Sequence, residues 1–107
     1  MTEYTIDQLK MVVKVLDGWN WDRSVSNIME SIKQERQLLS PDGFVAIMNW
    51  LIKEGVDNIN FYSRYAEEKW GISVSIEGSR FGSLCVGKTP QEAFLNAMIQ
   101  YLEAKDD

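Results

Sequence analysis

The sequence predicts an α+β domain in which helices pack mainly on one face of a short antiparallel sheet. Apolar residues recur at helical spacing through the first half of the chain and again at its end. Between residues 59 and 76 the period changes from 3.6 to 2. Each alternating run is apolar on one face and polar on the other, which leaves one wet face on the sheet and one for helices. The expected order is α-α-α-β-β-β-α over a single domain, residues 1–107.

The first helix is expected over about residues 5–16. Thr5 and Gln8 have capping-box spacing, Leu9, Val12, Val13 and Leu16 form one apolar stripe, and Gly18 follows where a left-handed residue ends a helix. After the aromatic connection Trp19-Asn20-Trp21-Asp22, a second helix is expected over residues 26–37. Its stripe is Val25, Ile28, Met29 and Ile32, interrupted by Glu35, Arg36 and Gln37. Ser40-Pro41-Asp42 is a strong helix start, with a capping hydroxyl, a proline at the first helical position and an acid at the positive end of the dipole. Phe44, Ile47, Met48 and Leu51, with Val45 and Ile52 beside them, form a wide apolar face expected at the centre of the core, and Gly55 supplies the stop.

Two half-buried strands follow. Ile59, Phe61, Ser63 and Tyr65 alternate with Asn60, Tyr62 and Arg64, and Trp70, Ile72, Val74 and Ile76 alternate with Gly71, Ser73, Ser75 and Glu77. Residues 66–69 and 77–80 read as turns and residues 81–86 as a third strand, so an antiparallel meander is the simplest pairing. Thr89-Pro90-Gln91-Glu92 combines a capping box with a proline start, and Ala93, Phe94, Ala97, Met98, Tyr101 and Leu102 line one face of the closing helix.

Composition narrows the chemistry. The chain has 107 residues, a formal net charge of −5, no histidine and one cysteine. An internal disulfide is excluded, as are Ser-His and Cys-His nucleophile pairs and cysteine-rich zinc sites. No run reaches the ~18 apolar residues of a membrane span, and the first residues lack a signal-peptide pattern. A cytoplasmic protein with no membrane partner is expected. The acidic balance argues against direct nucleic-acid binding, which depends on Lys and Arg. The charge is spread evenly: six basic and nine acidic residues in positions 1–58, five and seven in the remainder. It therefore reads as one solvated surface.

Motifs for catalysis, cofactors or metals are missing: there is no P-loop, no Gly-x-Gly-x-x-Gly and no metal-ligand spacing. Glu67-Glu68 and Asp106-Asp107 read as solvated pairs. Cys85, with no histidine to activate it, reads as a buried small hydrophobe on the third strand. The candidate partner-binding residues are Trp19, Trp21, Tyr62, Arg64 and Arg80. The two indoles flank Asn20, and Trp is enriched in binding hot spots, although at least one is expected to close the end of the core. Trp70 is in phase with Ile72 and reads as core, and Trp50 fits either environment. The polar sheet face would present Asn60, Tyr62, Arg64, Ser73 and Ser75, with Arg80 near the turn. Such a face can be the wet side of the sheet, a site for an anionic ligand or protein, or a surface covered by another copy or another helix.

The helix–strand–strand–strand–helix order is topologically similar to the double-stranded-RNA-binding domain, but Lys88-Thr89-Pro90-Gln91-Glu92 lacks that domain's basic clamp. A second resemblance covers most of the chain in outline. Gly18-Trp19 at the end of the first helix, Pro41-Asp42, the Trp-Gly-x-x-Val segment at 70–74 and Thr89-Pro90-x-Glu92-Ala93 together resemble the small phage proteins of the ABA-sandwich domain type, with residues 20–39 as an insertion. The resemblance implies a phage or prophage origin, hence a bacterial host cell, and no assigned catalytic residues.

The functional expectation is a non-enzymatic acidic binding protein that inhibits or redirects a host protein. Its charge would suit a partner with a basic, nucleic-acid-handling surface, or a defence protein. The alternative is a nucleotide-binding or sequestering protein, with Arg64 and Arg80 on phosphates and Tyr62 or a Trp on the base. An enzyme would need an Asp, Glu, Lys or Tyr mechanism that no motif reveals. No cofactor or metal is expected, and a homo-oligomer is an open alternative.

Overall fold

A computed structural model describes residues 4–21, 27–64, 68–81 and 86–105. Within them the chain forms α1 (Ile6–Val15), α2 (Asn27–Leu38), α3 (Pro41–Glu54), β1 (Val56–Arg64), β2 (Lys69–Ile76), β3 (Ser79–Phe81), β4 (Val86–Gly87) and α4 (Pro90–Lys105). This is the expected α+β order, with helices packed against an antiparallel sheet.

The helix boundaries follow from their caps. The Thr5 hydroxyl accepts from the Gln8 N–H at 3.1 Å, and the Gln8 side chain accepts from the Thr5 N–H at 3.0 Å. Ser40 caps α3 by accepting from the Gly43 N–H at 3.3 Å, with Pro41 in the first turn. Gly55 ends that helix at φ +86°, a left-handed conformation that costs glycine little. Thr89 accepts from the Glu92 N–H at 3.1 Å at the start of α4.

β1 and β2 pair antiparallel from Val56↔Ile76 to Arg64↔Lys69, so β1 begins three residues before the alternation signals it. The register slips between Val56 and Asn58. The extra residue, Asp57, turns its carboxylate to the Gly78 N–H at 2.9 Å and ties this bulge to the next turn. That turn contains only Glu77 and Gly78, at φ +50° and +84°, between the paired Ile76 and Ser79. Two positive φ values give a hairpin whose twist matches its strands. The expected third strand is realised as β3 and β4, both on the same edge of β2. Their registers differ by two residues between Val74↔Phe81 and Gly71↔Val86. Residues 82–85, including Cys85, lie outside the described part, as do Tyr65, Glu67 and Asp106-Asp107.

The core lies on the side of the sheet that carries Ile72, Val74 and Ile76. α4, not α3, is the central helix. Its Ala93, Phe94, Leu95, Ala97, Met98, Ile99 and Leu102 are all buried, so it is enclosed on most of its circumference. It sits over β2, β3 and β4; α3 lies beside it over β1; α1 packs on α4 and α2 on α3. Phe44, Phe61 and Phe94 join α3, β1 and α4, with centroid distances of 5.0–5.8 Å. Asn96 Nδ2 donates to the Val86 carbonyl at 2.8 Å and fixes α4 to β4.

Two expected apolar faces are corrected. In α2, Ile28 and Met29 are 69% and 65% exposed, while Glu30, Ser31, Gln34 and Leu38 point inward. Val25 lies outside the described residues. The polar face turns in because Gln34 supplies an amide donor to the Asn20 carbonyl at 3.0 Å and to Glu30 Oε1 at 2.7 Å, which an apolar side chain cannot do. In α3, Val45 and Ile52 are 56% and 62% exposed, because α4 occupies the centre and leaves α3 at the flank.

Candidate functional site

Cross-strand register sets which side chains share the polar face. Asn58, Asn60, Tyr62 and Arg64 on β1 stand opposite Ser75, Ser73, Gly71 and Lys69 on β2, and Arg80 on β3 stands opposite Ser75. Directly opposed residues in an antiparallel pair point to one side of the sheet. Asn58, Asn60, Tyr62, Lys69 and Arg80 are exposed, and Ser73 and Ser75 are half-buried. The helices therefore leave this face open among the described residues. The Arg64 side chain lies outside the described part; its backbone ends β1 opposite Lys69.

Tyr62 is the organised feature of the face. Its ring lies over Gly71, where a Cβ would run into ring atoms Cε2 and Cζ. Glycine is buried here because the tyrosine covers it. The ring is thus braced against backbone while its outer surface stays accessible, 38% exposed. A held aromatic loses little side-chain freedom on contact with a partner. No Asp or Glu occupies a paired position of this face, whereas Lys69 and Arg80 do.

Trp19 and Trp21 do not join that face. Both are half-buried and pack against the core on the helical side. Lys10 Nζ stands 5.5 Å from the centre of the Trp21 ring, a cation–π contact, and Trp21 Nε1 is buried with no hydrogen-bond acceptor among the described residues. Trp50 is buried edge-on against Tyr101, with 5.6 Å between centroids. Trp70, expected in the core, is 38% exposed at the end of the sheet.

A second feature lies beside Trp19. Gly18, Trp19, Asn20, Lys33, Gln34, Gln37, Ser40 and Asp42 line an open cleft of about 460 Å³. Gln34 is almost fully buried. Its amide nitrogen is committed to Asn20 and Glu30, which fixes the orientation of the amide and leaves Oε1 without a donor among the described residues. Sequence reasoning missed Glu30 and Gln34. Their only signal is the i, i+4, i+8 spacing with Leu38, which is hidden by the more apolar residues of the opposite face.

Open polar face, braced tyrosine and enclosed central helix define an α+β fold in which, among the described residues, no helix covers one side of the sheet. No protein-family model, no curated protein and no solved structure matches the chain. The positions that carry the phage-protein resemblance fall at the end of α1, the start of α3, in β2 and at the start of α4.

Proposed function

We propose that the chain is a non-catalytic, phage- or prophage-encoded binding protein whose open sheet face docks on a host protein and inhibits or redirects it. The observation that carries this reading is Tyr62 braced on Gly71 on a polar face that also carries Lys69, diagonal to it, and Arg80 on the far strand β3. Tyr and Arg are the residue types most often found at the centre of binding energy. The face also changes the expected partner chemistry. Net charge alone favours a basic target, but a basic patch would meet like charge at Lys69 and Arg80. The contact patch that fits offers carboxylates to these cations and an apolar slot to the tyrosine.

Affinity capture from bacterial lysate at low salt tests this. The wild-type chain should recover a stoichiometric partner, and Tyr62→Ala or Arg80→Glu should each weaken capture by about 30-fold or more, the scale of a hot-spot loss of ~2 kcal/mol. Their circular dichroism should be unchanged, since both side chains are exposed. Capture that is equal for all three proteins, or no partner at any salt concentration, overturns the proposal.

The unpartnered Gln34 Oε1 favours one second reading, a small-molecule site in the cleft beside Trp19. A nucleobase stacked on Trp19 would donate its exocyclic amine to Gln34, with Lys33 near a phosphate. Of the phosphate ligands expected from sequence, Arg80 belongs to the sheet face and not to this cleft, and the Arg64 side chain lies outside the described part. A nucleotide at 100 times its dissociation constant adds about 2.7 kcal/mol of stability, so thermal-shift screening should find one that raises the melting temperature. No shift with any nucleotide ends this reading.

A further inference from the structure

The geometry points to a second copy of this chain as the occupant of the free edge of β1, paired antiparallel about a two-fold axis. The sheet order places β1 at an edge, and β2 is its only described strand partner. The edge is nine residues long, and residues 58–63, Asn-Ile-Asn-Phe-Tyr-Ser, contain no charge and no proline. Native proteins protect such edges with charges, prolines or bulges, and here the single bulge lies at one end, at Asp57.

The backbone groups that face outward follow from the hairpin. Ile76 and Ser79 flank a two-residue turn, so their N–H and C=O groups point at each other. Alternation along β2 then turns Ser75, Ser73 and Gly71 toward β1, which commits Asn58, Asn60 and Tyr62 to β2. Ile59, Phe61 and Ser63 therefore direct their N–H and C=O groups to the free edge.

Three properties of this edge select a second copy. The strand carries an acid near its start, Asp57, and a cation at its end, Arg64. Antiparallel self-pairing about Asn60 sets the Asp57 position of one copy beside the Arg64 position of the other at both ends, while parallel pairing would set like residues side by side. A two-fold axis at Asn60 pairs Ile59 of each copy with Phe61 of the other, so the apolar layer continues across the joint on the helical side. The flank of α3 exposes two large apolar side chains, Val45 and Ile52, among Asp42, Asn49 and Lys53. Trp50 points from α3 toward Tyr101 of α4, and Val45 and Ile52 lie about 140–160° around the helix from it. They face away from α4, on the side of α3 that lines an open cleft with Val15, Asp17 and Asn49, and α3 itself lies over β1 at the edge of the sheet. In the two-fold assembly the two α3 flanks face each other, and Val45 and Ile52 are covered.

Sedimentation equilibrium and amide hydrogen exchange test the proposal on the full chain. The wild type should reach twice the 12.3 kDa chain mass as concentration rises. The amides of Ile59, Phe61 and Ser63 should then be protected together with those of Asn58, Asn60 and Tyr62. Ser63→Pro removes an outward donor without touching the bonds to β2, and Val45→Lys with Ile52→Lys charges the exposed flank of α3. Each variant should be monomeric, with only the outward amides exchanging fast. A wild type that stays monomeric at the highest concentration, a dimer whose outward amides are unprotected, or a dimer that survives both variants overturns it.

Discussion

Glu30 and Gln34 show how single residues decide the orientation of a helix. They are buried between α2 and its neighbours and are joined by a 2.7 Å hydrogen bond. A carboxylate in that environment depends on the donor that meets it, and the Asn20 carbonyl depends on the same amide. Gln34→Leu removes both bonds at once and should destabilise the fold by about 2–4 kcal/mol, since a hydrogen bond lost to a buried carboxylate costs more than one lost at the surface. Replacing Glu30 as well, by leucine, should recover part of that loss, because an apolar pair leaves no buried carboxylate. Urea titration of the two single variants and the double variant should give a coupling energy of at least ~1 kcal/mol. Additive losses would show that the two side chains act independently.

At the scale of elements, what was legible in the sequence was what local chemistry decides. Thr5, Ser40 and Thr89 start helices because each hydroxyl meets an otherwise unpaired N–H, and no tertiary partner is needed for that. Alternation in residues 59–76 places Tyr62 on the polar face, since the period of two is a property of the strand itself, whereas Arg80, expected in a turn, reaches that face because β3 already begins at Ser79. What remained hidden depends on neighbours distant in sequence. Periodicity turns Ile28 and Met29 inward, but the carbonyl of Asn20 lies across from α2 and draws the polar face in instead. α3 has the wider apolar stripe, yet α4 takes the centre, where Leu95 and Ile99 are buried in addition to the stripe expected for it. The two-residue change of register between β3 and β4 leaves no trace in the alternation of residues 81–86. The cleft beside Trp19 was illegible for the same reason, because residues 18–20, 33–37 and 40–42 converge only when α2 folds back between α1 and α3. Gly43 records that fold: a Cβ there would strike the carbonyl oxygens of Gln37 and Leu38 across the α2–α3 turn.

For the whole molecule, the two proposals meet in the size of the contact face. β1 spans nine residues, about 30 Å at ~3.3 Å per residue, and three strand widths at ~4.8 Å give about 14 Å across. One sheet face therefore offers roughly 400 Å², about half of the ~800 Å² per partner in a standard protein–protein interface. Pairing through β1 sets two such faces side by side with their helices on the same opposite side. It doubles the flat polar surface without moving any residue on it. The two Tyr62 rings then lie on one surface, close to the shared strand pair. A partner that spans the joint meets both, and one that binds a single half gains a second site at high local concentration. Val45→Lys with Ile52→Lys, on α3 and away from both Tyr62 and Arg80, should therefore lower partner capture by about 10-fold or more while its circular dichroism stays that of the wild type. If capture is unchanged in a variant shown to be monomeric, a single face suffices for binding and pairing through β1 adds nothing to it.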